Sequence, residues 1–395
     1  MGEQQLNISG LSSRSISTPE AELFLVEAGD AKKPTILFLH GYPDDHTVWE
    51  KQLDFLKDNF HVVALDLRGV GNSELKAPLA GAFRVERITF DIETVINDIA
   101  GKKGKVHIVA HDWGSIIAWS ALSDSNVQDR VLSFTTISGP HLGMATQWLK
   151  ESLLSLEPGK VFKALRQLGS AAHFALFNLP FIQQSFKYFP KQWAGLVARM
   201  GGLGKVENFT GGQASDSDSV ISRFMLPVEL YRQNFAPLPK LPQFNGIKVA
   251  VQAIVPRKDS FLKPELAECM DPYVGNLKKE FVDGNHWVMK TDAEKINELI
   301  LQFVEEQEAL AKPKRRTTRK TASTAEKKTT TAKSATKTKS KAGQPKKSAT
   351  KAKAKTEKKA DTKTTAKKTA KSPTKTTTTK KKAAAKKAVV EETEA

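Results

Sequence analysis

The sequence predicts an α/β fold, in which a mostly parallel sheet carries helices on both faces. Three observations support this prediction. Short apolar runs of the buried-strand type alternate with amphipathic helices, one strand turns directly into a helix at residues 105–119, and a helix-rich stretch interrupts the alternation after residue 140. Parallel strands are buried on both faces and therefore have nearly continuous Val, Ile and Leu. One large α/β unit with an insertion accounts for all three observations.

The charge of the 395-residue chain is distributed unevenly. The net charge is +18, but residues 312–395 contain about 29 Lys/Arg and 6 Asp/Glu, whereas residues 1–311 are acidic overall. Residues 312–395 lack aromatic residues, Leu, Ile and Met, so they cannot bury enough apolar surface to offset chain entropy. We predict that they form a disordered tail rich in Lys, Ala and Thr.

The single cysteine, Cys269, excludes an intramolecular disulfide framework and is compatible with a reducing compartment. The N-terminus lacks the basic and apolar segments of a signal peptide, and no apolar run reaches membrane-spanning length. These features predict a cytoplasmic protein without a transmembrane segment, and the basic tail raises the further possibility of association with the nucleoid. The oligomeric state is not constrained by the sequence.

The elements of the sheet follow one another in regular order. Helices are expected near 47–56, where Thr47 and Glu50 have the spacing of a capping box, and over 89–100. Residues 110–115 have the small-x-nucleophile-x-small-small spacing of a nucleophile elbow, with Asp112 as the nucleophile. Strands are predicted at 6–9, 22–27, 35–39, 62–65, 106–109, 131–137, 247–251 and 277–282, and a closing helix at 291–308.

The stretch between the sixth and seventh predicted strands consists of helical segments rich in Leu, Phe and Trp. It leaves and rejoins the sheet beside the proposed catalytic edge, which favours a cap over the site, and a separate helical domain is the alternative. The predicted division is therefore a core of residues 1–140 and 241–311, a helical cap of residues 141–240 and the tail of residues 312–395.

Asp112 needs partners from other parts of the chain if it is catalytic. His286 follows the last predicted strand and is the candidate base, and Asp259 is the candidate for orienting it. Glu265, Glu268 and Asp271 lie near Asp259 in the sequence and remain alternatives to it. The order nucleophile, acid, histidine is that of one class of hydrolase triads. The backbone N–H groups of two residues, Tyr42 and Trp113, are expected to form an oxyanion site.

The motifs HGYP at 40–43, DLRGVGNS at 66–73, AHDWGS at 110–115 and GNHW at 284–287 resemble those of the α/β-hydrolase-fold epoxide hydrolases. The resemblance covers roughly residues 20–308 and is specific to the branch with an aspartate nucleophile, to which the haloalkane dehalogenases are related. The stretches RGVGNS, VHIVAHDWGS and FTTISGP are similar to the hydrolase portion of bacterial fusions with a short-chain dehydrogenase. This resemblance implies an α/β-hydrolase fold with its helical cap inserted after the sixth strand.

It also implies a two-step reaction, in which Asp112 forms an alkyl ester with the substrate and water activated by His286 hydrolyses that ester. Two cap tyrosines assist ring opening in epoxide hydrolases. Tyr231 resembles the second of them. His173 stands where the first is expected, and either it donates a hydrogen bond instead, Tyr188 takes the role, or epoxide activity is weak or lost.

The alternative within the family is a haloalkane dehalogenase, and a different hydrolysis is a further possibility. Trp113 is found in both groups, and Tyr42 replaces the Asn common in dehalogenases, which favours epoxide hydrolysis. The aromatic residues of the cap indicate a small hydrophobic substrate. No dinucleotide fingerprint or Cys/His cluster is present, so no cofactor and no metal are expected.

The tail suggests a function of a different class. A mobile polycation can bind nucleic acid or another polyanion without sequence preference, with affinity that falls steeply as salt rises. Because no aromatic residues are interleaved to stack on bases, any such binding should be non-specific. A solubilising extension and an electrostatic tether to acidic surfaces, including membranes, are the alternatives.

Overall fold

The computed structural model describes residues 6–76, 80–204, 223–236, 238 and 246–312. The described strands form one sheet of order β1-β2-β4-β3-β6-β7-β8-β9, with the short β5 paired to β2. Strands β3, β4, β6, β7, β8 and β9 are parallel, and β1 and β2 form the antiparallel end. The strands are β1 Ser12–Ser17, β2 Ala21–Ala28, β3 Thr35–Leu39, β4 His61–Leu65, β5 Glu74–Leu75, β6 Val106–His111, β7 Val131–Ile137, β8 Ala250–Pro256 and β9 Leu277–Val282.

Twelve α-helices lie wholly within the described residues, and four of those in the core pack against one another in two pairs. The described helices are α1 Glu50–Leu56, α2 Val85–Ala100, α3 Asp112–Ala121, α4 Ser125–Gln128, α5 Leu142–Leu153, α6 Pro158–Ser170, α7 Ala172–Phe177, α8 Ile182–Tyr188, α9 Pro190–Met200, α10 Glu229–Asn234, α11 Val288–Thr291 and α12 Ala293–Ala311. Helix α2 contacts α3, and α1 contacts α12. In the sheet, β4 lies on one side of β3, and β6 and β7 lie on its other side. The chain therefore crosses the sheet in one direction from β3 to β4 and in the opposite direction from β4 to β6 and on to β7. Right-handed crossovers therefore place α1 and α2 on opposite faces of the sheet.

Helices α5 to α10 lie between β7 and β8 in the chain, and we call them the cap helices. Helix α5 packs against a 3-10 helix at Pro264–Met270, which follows β8, and α7 packs against α10. These contacts bring the cap helices to the carboxyl end of β8, the edge of a parallel sheet where active sites form. No helix of the described residues combines the length and apolarity needed to cross a bilayer.

The fold class predicted from the sequence is confirmed, but three strands differ from the prediction. The first strand is Ser12–Ser17 and not residues 6–9, because pairing with β2 stabilises a polar edge strand that has no apolar run of its own. Strand β5 was not predicted, so the cap helices follow the seventh strand of the chain and not the sixth. Strand β8 begins at Ala250, and Ile247 makes only an isolated bridge to Val274.

Two predictions concern residues that lie wholly or partly outside the described ones. These are the disordered tail, of which only Lys312 is described, and the cap boundary near residue 240.

Candidate active site

Asp112 occupies a strained turn between β6 and α3. Its φ is +49°, a left-handed value that non-glycine residues rarely adopt. Three glycines leave room for this turn. A Cβ on Gly41 would lie 2.4 Å from the Cβ of Asp112, one on Gly114 would lie 2.3 Å from the carbonyl oxygen of His40, and one on Gly139 would lie 2.4 Å from the carbonyl oxygen of Asp112. The predicted elbow spacing thus corresponds to an actual strand-to-helix bend.

The structure brings His286 and Asp259 to Asp112. Nδ1 of His286 lies 2.9 Å from Oδ2 of Asp259, and its Nε2 lies 3.8 Å from Oδ2 of Asp112. The other oxygen of Asp259 accepts hydrogen bonds from the backbone N–H groups of Phe261 and Leu262, at 2.8 and 3.0 Å. Because a carboxylate only accepts, Nδ1 of His286 carries a hydrogen and Nε2 of the neutral ring is free to take a proton.

The three other acidic candidates are engaged elsewhere. Each pairs with a Lys or Arg side chain away from His286: Glu265 with Arg166, Glu268 with Lys163 and Asp271 with Lys279. Asp259 is the acidic side chain that contacts the imidazole on the Nδ1 side.

The electrostatics of the three residues are coupled. Burial alone would lower the pKa of His286, but the carboxylates of Asp259 and Asp112 outweigh it and raise the pKa of His286 above its usual 6.5. Burial would raise the pKa of Asp259, but the adjacent His286 and the backbone N–H of Leu262 hold that pKa below its usual range. Burial raises the pKa of Asp112, even though His286 and the N–H groups of Tyr42 and Trp113 favour its charged form.

The two oxygens of Asp112 have different surroundings. Oδ1 accepts a hydrogen bond of 2.9 Å from the backbone N–H of Tyr42, and the backbone N–H of Trp113 also favours the charged carboxylate. Oδ2 faces His286. These are the two N–H groups expected from the sequence to form an oxyanion site, and they lie where charge would develop on one oxygen of Asp112.

Tyr231 lies in an aromatic cluster formed by the core and the cap helices. Its ring centroid lies 4.9 Å from that of Trp113, 4.8 Å from those of Phe174 and Phe177, and 5.2 Å from that of Tyr42. Burial and the nearby Asp112 carboxylate raise the pKa of Tyr231 well above its usual value of 10, so its hydroxyl stays protonated. Tyr231 can therefore donate a hydrogen bond inside an apolar site close to Asp112.

His173 belongs to the same cluster, with its ring centroid 5.6 Å from that of Tyr231. Its Nδ1 lies 2.8 Å from the carbonyl oxygen of Ser170, which can only accept, so Nδ1 carries the hydrogen. Burial lowers the pKa of His173 to about 4, and the ring is neutral near pH 7. Nε2 of His173 is then a hydrogen-bond acceptor and cannot donate.

Tyr188 is not brought to the site. Its side chain is 72% exposed, and within the described residues it makes no ring contact with Tyr231 or His286. The expected role of Tyr188 as a cap donor therefore has no support in the structure. The reason is its position near the C-terminus of α8, where it lies on the solvent side while Phe186 and Ile182 are buried.

Two site residues were missed by the sequence analysis. His111 donates from Nε2 to the carbonyl oxygen of His286 at 3.0 Å, and the two rings lie 4.6 Å apart, so it supports the loop that carries the candidate base. Phe261 packs against both His286 and His173, at 4.8 and 5.1 Å. The position of His111 beside Asp112 was a usable signal, but nothing in the sequence near Phe261 pointed to the site.

The chain belongs to the α/β-hydrolase fold family, whose sequence profile matches residues 34–293. The described residues contain no group of three or more His, Cys, Asp or Glu side chains arranged to hold a metal ion.

Among curated proteins, the chain is similar to the probable oxidoreductase EphD of Mycobacterium tuberculosis, with 26% identity over 277 residues that cover 70% of this chain and 46% of EphD. The chain thus spans about half the length of this relative. It is also similar to mouse epoxide hydrolase 4, with 25% identity over 296 residues that cover 71% of this chain and 76% of that protein.

Among solved structures, the epoxide hydrolase of Bacillus megaterium in complex with an inhibitor matches with a TM-score of 0.60 at 21% identity. The match covers 74% of this chain and all of that one. A likeness at this level of identity supports the fold.

Proposed function

We propose that this protein opens epoxides by forming a covalent ester on Asp112. The observation that carries the proposal is the arrangement around that carboxylate. One oxygen is held by the N–H of Tyr42, the other faces a His286–Asp259 pair, and the hydroxyl of Tyr231 lies in the same aromatic cluster. The names of the similar proteins, several of which are epoxide hydrolases, support this substrate class.

In the first step, Oδ2 of Asp112 attacks a ring carbon of the epoxide and the carbon–oxygen bond of the ring breaks. Tyr231 donates its proton to the departing oxygen, which becomes a hydroxyl group, and Tyr231 regains a proton from the water that is consumed in the second step. Because Nε2 of His173 accepts at neutral pH, we assign the donor role to Tyr231 alone. The product of this step is an alkyl ester between the substrate and Asp112.

In the second step, His286 removes a proton from water and the resulting hydroxide attacks Cγ of Asp112. Negative charge develops on Oδ1, where the N–H groups of Tyr42 and Trp113 stabilise it. The bond between Cγ and Oδ2 breaks, and the imidazolium of His286 returns its proton to Oδ2, which leaves as a hydroxyl group of the diol. The oxygen from water stays on the carboxylate of Asp112, and the remaining proton of that water restores Tyr231. Asp259 stabilises the imidazolium that forms in between.

The test follows from this exchange of oxygen atoms. A single turnover in ¹⁸O-water should place the label in Asp112 and leave the first diol unlabelled, as mass spectrometry of the diol and of the peptide that contains Asp112 can measure. Label found directly in the diol would exclude the covalent route. The variant D112A should be inactive toward every epoxide tested.

Dehalogenation is the second candidate, because the ring of Trp113 lies in the site and could help bind a halide. A panel of epoxides and haloalkanes separates the two reactions. Release of halide from the haloalkanes, together with no diol from any of the epoxides, would favour the dehalogenase.

We also infer that the chain descends from the aspartate-nucleophile branch and is related to the hydrolase portion of fusion proteins. The match to less than half of EphD supports this relation.

For residues 312–395, we propose non-specific binding to nucleic acid or another polyanion in the cytoplasm, because their charge of about +23 neutralises phosphates without reading bases.

A further inference from the structure

The end of helix α9 lies directly on the loop that carries His286. Gly201 and Gly202 follow the last turn of this helix. A Cβ on Gly201 would lie 1.7 Å from Cζ3 of Trp287, and one on Gly202 would lie 2.6 Å from Cβ of Asn285. Only residues without a side chain allow the cap backbone to approach the two neighbours of His286 this closely.

The side chain of Asn285 joins the cap to this loop and also shapes the loop itself. Its Nδ2 donates to the carbonyl oxygen of Gly202 at 3.0 Å. Its Oδ1 accepts from the backbone N–H of Trp287 at 3.0 Å and so links the residues on either side of His286. The oxygen of this amide therefore holds the turn, and its N–H group holds the turn to the cap.

The core holds the same loop through separate hydrogen bonds. The indole N–H of Trp287 donates to Oδ2 of Asp44 at 2.8 Å. The carbonyl oxygen of His286 accepts from Nε2 of His111 at 3.0 Å, and Nδ1 of His286 lies 2.9 Å from Asp259. The ring of Trp287 is buried where the core and the end of α9 meet. The orientation of the candidate base therefore depends on the cap as well as on the core.

Tyr231 is held to the core by a different part of the cap. It lies on α10, whose last residue, Asn234, accepts from the N–H of Val85 at 3.0 Å and donates to the carbonyl oxygen of Phe83 at 2.8 Å. These hydrogen bonds involve neither α9 nor the loop of His286. A change at the end of α9 should therefore affect the candidate base and leave the candidate proton donor in place.

We propose that Gly201, Gly202 and Asn285 are positioning residues for the second step of the reaction. The packing of the two glycines against Asn285 and Trp287, which we call the cap–loop contact, holds the imidazole of His286 where it can take a proton from the attacking water. A misplacement of about 1 Å can cost about 10²-fold in rate. The first step does not use His286 and does not depend on the contact. This inference rests on the proposed function and deepens it.

The variant N285D tests the hydrogen-bonded part of the contact on the full chain. Aspartate keeps an oxygen to accept from Trp287, but it cannot donate to Gly202 and brings a negative charge to that carbonyl oxygen. In a single turnover of an epoxide followed by intact-protein mass spectrometry, the ester should form at the wild-type rate and be hydrolysed about 10–10²-fold more slowly. The control D283N makes the opposite exchange in the same loop, at an exposed partner of Lys258, and should change neither rate.

A second pair of variants tests the close packing. G201A places a methyl group against the ring of Trp287 and should also slow hydrolysis of the ester more than its formation. The φ of Gly201 is −81°, so the added methyl group causes no backbone strain. The control G169A, on α6, adds a methyl group where no atom lies within 4 Å and should leave both rates unchanged. Ester formation at the wild-type rate shows that each variant is folded.

Hydrogen exchange reads the position of the loop without any reaction. Amide exchange in the peptide that contains His286 should be faster in N285D and G201A than in the wild type, because a contact that holds the loop is lost. It should be unchanged in D283N and G169A. Mass spectrometry of peptic fragments measures this difference in the absence of substrate.

Three outcomes would overturn the proposal. The first is hydrolysis of the ester at the wild-type rate in both N285D and G201A. The second is an equal slowing of the two steps, or equal slowing in variants and controls, which would indicate a general loss of structure. The third is unchanged hydrogen exchange in both variants. Failure of the proposed function gives a different result: no ester forms on the wild type or on H286Q, and hydrogen exchange alone then confirms or overturns the cap–loop contact.

Discussion

At the scale of single residues, the proposed chemistry depends on the different surroundings of the two oxygens of Asp112. The left-handed turn at Asp112 directs Oδ1 toward the N–H of Tyr42 and Oδ2 toward His286. The 3.8 Å between Nε2 of His286 and Oδ2 is longer than a hydrogen bond. A base that hydrogen-bonded the nucleophile tightly would compete with the attacking water, so this separation suits an imidazole that acts in the second step.

Removal of the base should separate the two steps. In H286Q, the attack of Asp112 on the epoxide is retained and hydrolysis of the ester is slowed by about 10²–10⁴-fold. Intact-protein mass spectrometry should then show one substrate added per chain. D112A provides the control and should show no addition. An H286Q protein that turns over freely without a mass increase would contradict the assigned role of His286.

A second prediction concerns Tyr231 and His173, the two cap side chains that lie in the aromatic cluster. Y231F should slow ester formation by about 10²–10⁴-fold, because the departing oxygen loses its donor. H173F should stay within a few-fold of the wild type at neutral pH, because the hydrogen on Nδ1 of His173 is already committed to Ser170. Pre-steady-state kinetics with an epoxide measures both. Equal losses in the two variants would show that His173 donates as well.

The pH profile follows from the same groups. His286 acts as a base only when neutral, and its raised pKa means that activity is lost as pH falls through a midpoint above 6.5. Tyr231 acts only when protonated, and its pKa lies well above 10, so activity should stay level on the alkaline side up to about pH 10. The pH dependence of kcat, which includes hydrolysis of the ester, checks the acid limb, and the pH dependence of the rate of ester formation checks the alkaline limb. In D259N the acid limb should move to lower pH, because the carboxylate that raises the pKa of His286 is neutralised.

At the scale of elements, a buried ion pair joins the loop after β4 to helix α2. The guanidinium of Arg68 makes two hydrogen bonds to the carboxylate of Asp91, at 2.6 and 2.7 Å, and both side chains are buried. Arg68 also bonds the carboxylate of Glu20 and the carbonyl oxygen of Ala82. The loop that follows β4 is thereby fixed against the helix.

Removal of Asp91 should be costly, because the buried guanidinium of Arg68 loses two charged hydrogen bonds and keeps Glu20 as its remaining carboxylate partner. D91A should lower the free energy of unfolding by about 3–5 kcal/mol. D98A, in the same helix, removes a partly exposed partner of Arg14 and should cost less than about 1 kcal/mol. Urea unfolding followed by circular dichroism measures both. Similar losses in the two variants would mean that burial does not determine how much an ion pair contributes to the free energy of unfolding.

At the scale of the whole molecule, an acidic core of residues 1–311 is joined to a strongly basic tail. The residues that surround the candidate site all lie before residue 312, and the tail contains no aromatic residue, Leu, Ile or Met with which to form a site of its own. The proposed reaction and the proposed binding of polyanions should therefore be separable.

A chain that ends at Ala311 should keep the epoxide turnover of the full chain and lose most of its affinity for a double-stranded DNA of arbitrary sequence. The salt dependence of DNA binding by the full chain should be steep, because each neutralised phosphate releases a counterion. Turnover assays and DNA titrations at several salt concentrations measure the two properties. Loss of turnover on truncation would contradict the separation.

The sequence by itself determined the fold class and the elbow at Asp112, and it made His286 the candidate base. Each of these depends on a local pattern: apolar periodicity, small residues around a bend and the position of a histidine after a strand. Only the tertiary structure decided what depends on contacts between distant residues. In the structure, Asp259 contacts His286, whereas Glu265, Glu268 and Asp271 pair with Lys or Arg side chains elsewhere. Tyr188 is exposed to solvent. Nδ1 of His173 is hydrogen-bonded to the carbonyl oxygen of Ser170. The roles of these side chains depend on partners that local sequence patterns do not specify.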